Sequence, residues 1–224
     1  MAHPPFLVPA VTALALAASA VTVQTAVTVA PAQAADHHRS GPPTGSMYHA
    51  PDGSPYHTEN SPSGIVRADR LGYDQIDLDL RMTRDGVIVA THWAAPMVRD
   101  GFHDTRGRLR RDRVVASMTW TEVSRLRTSD GYRIFTLRKL IPMLGKRHLV
   151  GSLEVKGDRR FAHRGVMTEL AAWCREHRVR AYVKAIPKLG RRGRILAAAR
   201  AAGFWTRNAG VAHQDWRPPK RRSR

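Results

Sequence analysis

Asp77 and Asp79 are separated by one residue in an otherwise apolar stretch. On a strand, both side chains leave the same face about 7 Å apart. Such a pair is a natural seat for a hard divalent cation with oxygen ligands. Taken alone, it reads more readily as two acids facing water on a half-exposed strand. Glu154 and Lys156 repeat the spacing in Ser152-Leu153-Glu154-Val155-Lys156. A carboxylate and an ammonium on one strand face suit a site that holds both a cation and a phosphate group. His49 and His92 each close an apolar run, and two histidines beside a metal-bound phosphodiester would serve as general base and general acid. Each histidine alone is more often structural, but four strand ends carrying chemistry together are harder to set aside.

Strands must position those side chains, and the hydropathy pattern supplies them. Residues 47–50 form a short strand candidate, and 62–71 have helical spacing with Gly72 as the stop. Residues 75–83 alternate apolar and polar, Asp85-Gly86 makes a turn, and 87–92 form a second apolar run. The pattern then predicts a short helix at 119–127, a strand at 148–156 and a helix at 163–178. A strand at 181–186, an Ala-rich helix at 192–202 and a last strand at 204–208 follow. Strand and helix alternating in this way predict an α/β fold with largely parallel strands. The single cysteine, Cys174, falls on the apolar face of the 163–178 helix and excludes a disulfide framework.

With 37 Lys and Arg against 18 Asp and Glu, the formal charge is +19, which favours anionic partners. Residues 1–34 contain none of those charged residues and close on Ala32-Gln33-Ala34, a small-x-small pattern. The reading is an export signal cleaved near Ala34, and hence an extracellular or envelope-associated protein. Cleavage after Ala20 and retention as an anchor are the alternatives. Residues 35–46 read as a polar linker, residues 47–210 as the folded domain, and 211–224 as a basic tail suited to an anionic cell-surface polymer.

The series His49, Glu59-Asn60, Gly72-Tyr73-Asp74-Gln75-Ile76-Asp77-Leu78-Asp79, Thr83-Arg84-Asp85-Gly86, Val89-Ala90-Thr91-His92 and Leu153-Glu154-Val155-Lys156 resembles the glycerophosphodiester phosphodiesterase family. The likeness covers roughly residues 47–156 and is most specific from Gly72 to His92. Trp205-Thr206-Arg207-Asn208 also looks like a strand near the end of that family's barrel. The resemblance implies a TIM-type (β/α) barrel, with Asp77, Asp79 and Glu154 as ligands of one divalent cation, Ca²⁺ or Mg²⁺. It implies His49 and His92 as the acid/base pair, Lys156 as a phosphate contact and Glu59 as support beside His49. The substrate would be a glycerophosphodiester or a glycerophosphate-containing polymer, cleaved to an alcohol and glycerol 3-phosphate. Ala50 and Pro51 stand where the family has Arg-Gly, and Trp93 where it has Asp.

A complete barrel usually takes about 250 residues, and two clear strands follow residue 156. The expectation is therefore a barrel with a short C-terminal half, and a non-catalytic polyanion-binding protein on a decayed barrel is the alternative function. His163-Arg164-Gly165 reproduces the family's opening tripeptide but enters a helix, and reads as a decoy. The Arg-rich run 106–113 and the basic group 188–194 lack interleaved aromatics, so no specific nucleic-acid partner is expected.

Overall fold

The computed structural model describes residues 45–49, 58–186 and 192–208. The expected export signal, the linker up to residue 44, the basic tail and residues 188–191 of the basic group lie outside them. Strand β1 (Met47–Tyr48) comes first, with His49 just past its end. Helix α1 (Pro62–Arg70) starts where the Ser61 hydroxyl accepts a hydrogen bond from the Gly64 amide, with Pro62 at its first position. Gly72, at φ +77°, turns the chain out of it.

Strand β2 (Gln75–Met82) runs parallel to β1, and Thr83 to Gly86 folds it back into β3 (Ile88–Ala90). The connection is too short for a crossover, so β3 is antiparallel. His92 therefore reaches the site because a hairpin arm returns, not because a parallel strand ends there. An excursion follows, containing α2 (Pro96–Arg99), β4 (His103–Asp104), α3 (Trp120–Val123) and β5 (Leu126–Arg127). It packs Met97, Phe102, Met118 and Leu126 against Val89 of β3 in a second apolar cluster. The helix predicted at 119–127 is only its first half: a capping box between Thr119 and Glu122 opens α3, and 126–127 pair with β4.

Strand β6 (Phe135–Thr136) pairs with β3 and leads into α4 (Leu137–Arg147), which the sequence reading left unassigned. Pro142 lies inside α4 and removes one helical hydrogen bond. Burial of Leu137, Leu140, Ile141 and Leu144 along one face holds the helix regardless. Then come β7 (Val150–Val155), α5 (Arg164–Glu176), β8 (Ala181–Ala185), α6 (Arg192–Ala201) and β9 (Trp205–Asn208).

The parallel strands lie in the order β1, β2, β7, β8, β9, each joined to the next through a helix. This is the TIM-type α/β architecture, and among the described residues the ladder stays open at β9. The 205–208 strand is the direct neighbour of β8. One sheet face carries Ile76, Leu78, Leu80, Leu153, Val155 and Val183, packed against Leu140, Leu144, Leu170 and Ile195 of the helices. The opposite face carries the charges.

Candidate active site and metal centre

The register of β2 on β7 pairs Asp77 with Ser152 and Asp79 with Glu154. Asp77, Asp79 and Glu154 therefore project from adjoining positions on one face, each offering an oxygen within 4.8 Å of the others. Their exposures are 0%, 1% and 7%. Carboxylates this deep need partners, and every one of the six oxygens has one. Asp77 accepts from the Ser152 hydroxyl at 2.8 Å and from Lys184 Nζ at 2.9 Å. Asp79 accepts from Asn60 Nδ2 at 2.9 Å and meets Lys156 Nζ at 3.0 Å. Glu154 meets Lys156 at 2.5 Å and Lys184 at 3.0 Å.

The electrostatics follow from this packing. Burial pushes the Glu154 carboxyl up, but the Lys184 and Lys156 ammoniums outweigh it and hold the group below the usual range. Burial pushes both lysines down, and the facing carboxylates more than reverse that, Asp79 and Glu154 for Lys156, Asp77 and Glu154 for Lys184. Three hard oxygen donors on two rigid strands fit a cation such as Ca²⁺ or Mg²⁺.

His49 Nε2 lies 3.6 Å from Asp77 Oδ2, and His49 Nδ1 lies 4.0 Å from Glu59 Oε2, which is fully buried. His92 follows Thr91, whose amide donates to the Asp79 carbonyl at 2.8 Å. Burial pushes the His92 imidazole below its ordinary pKa, partly opposed by Asp79. Its ring meets that of Trp93 edge-on at 4.5 Å. Arg81, next on the charged face of β2, donates to the His92 carbonyl at 2.6 and 3.1 Å and to the Lys156 carbonyl at 3.1 Å. A cleft of about 440 Å³, whose lining includes Arg81, Val115, Lys156, Asp158, Arg159 and Arg160, opens beside these groups.

The structure thus brings Asp77, Asp79, Glu154, Lys156, His49 and Glu59 together, with His92 held beside them through Thr91 and Arg81. His163 is the N-cap of α5, and its side chain makes no capping hydrogen bond there. Three participants were missed. Asn60 was visible only as half of a motif. Arg81 extends the Asp77-Asp79 alternation by one step. Lys184 follows Tyr182 by two residues, a same-face spacing that becomes informative only once β8 is known to lie against β7.

Fold and site together define a TIM-type α/β protein with a buried three-carboxylate centre. The chain belongs to the glycerophosphoryl diester phosphodiesterase family, whose sequence profile matches residues 52–188. That family depends on a divalent metal, and the buried triad offers a place for one. No curated relative matches the sequence. Among solved structures, the chain is similar to the glycerophosphoryl diester phosphodiesterase domain of a Mycobacterium tuberculosis protein, at 16% identity and a TM-score of 0.54 over 77% of this chain and 63% of that one. A glycerophosphoryl diester phosphodiesterase from Parabacteroides distasonis matches at 18% identity and 0.50, over 77% and 58%. An Oleispira antarctica phosphodiesterase in complex with its product sn-glycerol-3-phosphate matches at 16% and 0.50, over 73% and 63%. The chain spans about three fifths of the length of these structures.

Proposed function

We propose that this protein is an exported, metal-dependent phosphodiesterase that hydrolyses glycerophosphodiesters to an alcohol and glycerol 3-phosphate. The observation that carries the reading is the buried triad of Asp77, Asp79 and Glu154 with His49 3.6 Å from its edge. The glycerol 3-phosphate bound to the Oleispira antarctica relative supports this substrate class. The three carboxylates would hold one divalent cation, Ca²⁺ or Mg²⁺, which when bound supplies positive charge to the phosphate oxygens.

The chain's own residues do the rest. One of His49 and His92 takes the proton from the attacking hydroxyl, either water or the substrate's glycerol hydroxyl. A new P–O bond forms, the bond to the leaving alcohol breaks, and the other histidine protonates the departing alkoxide; where the glycerol hydroxyl attacks, the cyclic phosphate so formed is then opened by water to glycerol 3-phosphate. Glu59 orients His49, and Arg81 fixes the backbone that carries His92. Lys156 contacts the phosphate from the wall of the 440 Å³ cleft. The uncharged apolar stretch before Ala34 supports export, and the basic tail supports attachment to an anionic surface polymer.

The second reading, a non-catalytic polyanion-binding protein on a decayed barrel, draws on the two lysines that already offset part of the triad's charge. Release of glycerol 3-phosphate from a mixed glycerophosphodiester panel, with and without chelator, separates the two. Chelator-sensitive release is expected. His49→Ala and His92→Ala should each lose about 10²–10⁴-fold in rate while still binding metal, and Asp79→Ala should lose both. No release above the His92→Ala background with saturating Ca²⁺ or Mg²⁺ refutes the catalytic reading in favour of the second.

A further inference from the structure

Lys184 is 2% exposed, although its strand has no other charged residue. Its ammonium bridges two strands, meeting Asp77 Oδ2 of β2 at 2.9 Å and Glu154 Oε2 of β7 at 3.0 Å. Both carboxylates belong to the candidate metal triad. Lys156 does the same for Asp79 and Glu154 from beside the cleft. The centre therefore sets two built-in positive charges against three negative ones. Each oxygen that Lys184 occupies is one that a hard cation would need.

We infer that Lys184 is an internal competitor for the metal centre, a tethered cation that balances Asp77 and Glu154 in the metal-free protein and sets how tightly a divalent ion binds. The inference rests on the reading of Asp77, Asp79 and Glu154 as metal ligands and adds to it a residue that governs affinity. The physical reason is charge crowding. A divalent ion and the Lys184 ammonium on the same two carboxylates would put three positive charges against two negative ones. Binding therefore proceeds as an exchange, in which the ammonium gives up its carboxylate contacts as the metal takes them. The same contacts explain how a deeply buried Asp77 is tolerated before metal arrives.

The test is calorimetric titration of the full-length, chelator-treated protein with Ca²⁺ and with Mg²⁺, beside thermal melts with and without each ion. Lys184→Met and Lys184→Gln are expected to bind at least about tenfold tighter than the wild type. That is a conservative figure, since even bulk-water screening gives more for a unit charge about 4 Å from a divalent ion. Metal-free, both variants should melt below the wild type, and saturating metal should raise their midpoints more than it raises the wild type's. Lys184→Arg keeps the charge and should keep the weak affinity. Equal or weaker binding by folded Met and Gln variants overturns the inference while leaving the metal site standing. Absence of binding in the wild type, in these variants and in Asp79→Asn alike means that the metal reading itself is wrong, and the inference goes with it. Should neither variant fold, amine acetylation of the wild type decides the matter by peptide mass. Lys184 should label faster in saturating metal than in chelator, and an unchanged rate with metal bound overturns the proposal.

Discussion

Asn60 offers the most direct test of how the site is held. Its side-chain amide donates to Asp79 Oδ2 at 2.9 Å, and its carbonyl accepts from the Asp79 backbone amide at 2.8 Å. Both bonds are buried, and Asn60 is 2% exposed. Replacing it by Ala removes a hydrogen bond to a charged group, worth about 1.5–3 kcal/mol, and leaves a buried N–H without its acceptor at about 1–3 kcal/mol. Water entering the vacated space would return part of this, so the expected loss is about 3 kcal/mol. In a domain of this size that lowers the melting midpoint by about 6–12 °C. Urea melts of the metal-free protein give the number directly, with an unchanged slope showing that the native state is otherwise intact. Asn60→Asp keeps an acceptor for the Asp79 amide but sets two carboxylates face to face, so it adds repulsion to the lost side-chain bond. A loss below about 1 kcal/mol for Asn60→Ala would show that Asp79 is held by its strand and lysine alone, and the assignment of Asn60 as its anchor would fall.

Three further outcomes are expected. A Cβ on Gly64 would sit 2.2 Å from the Thr58 carbonyl oxygen and 2.7 Å from that of Glu59. Gly64→Ala should therefore cost about 3 kcal/mol or more although Ala is the better helix former, and a thermal melt matching the wild type would refute that packing. The Cys174 thiol is 3% exposed and pushed up to about 12 by burial; maleimide should leave it untouched in the native protein and label it fully in urea. Because burial depresses the His92 pKa in the folded state, its unfolded form takes up the proton first as pH falls. The associated stability is present above the ordinary value of 6.5 and lost as pH drops through the lower native value. In metal-free urea melts at pH 7.5 and 5.5, the stability of the wild type minus that of His92→Gln should shrink at the lower pH; a constant or growing difference refutes it.

The sequence was most informative where a local pattern and a local structure coincide. The alternation in 75–82 became β2, Ser61-Pro62 opened α1, and Asp85-Gly86 closed the hairpin, each for reasons that act within a few residues. What failed was non-local. The α4 helix carries Pro142, a local signal against helix, and stands on burial of Leu137, Leu140, Ile141 and Leu144, which only the folded sheet provides. Residues 126–127 left their predicted helix because β4 offered them a partner. At the site, Asp77 with Asp79 and Glu154 with Lys156 are visible as two pairs, each spaced by two residues, and draw weight from each other's company. Lys184, 30 residues from Glu154, could be placed only through the β7–β8 register. Asn60 belongs with Asp79 only because the loop before α1 folds over β2.

The same strands carry the core and the chemistry on opposite faces, and residue parity divides them. On β2, positions 76, 78 and 80 face the helices, while 77, 79 and 81 face the charges. On β7, Leu153 and Val155 face the helices, and Ser152 and Glu154 the charges. A one-residue slip of β2 would bury Asp79 among leucines and put Leu78 beside Lys184, so no nearby register competes. The ion pairs thereby favour one register of the fold. Lys184 can join Asp77 to Glu154 only when β2, β7 and β8 are aligned as they are. Replacing charges on this face is thus expected to change ligand binding together with the sharpness of the folding transition. Trimming Leu78 or Leu153 should instead cost stability, about 2–5 kcal/mol for each Leu→Ala, while leaving the metal affinity of the protein that remains folded unchanged.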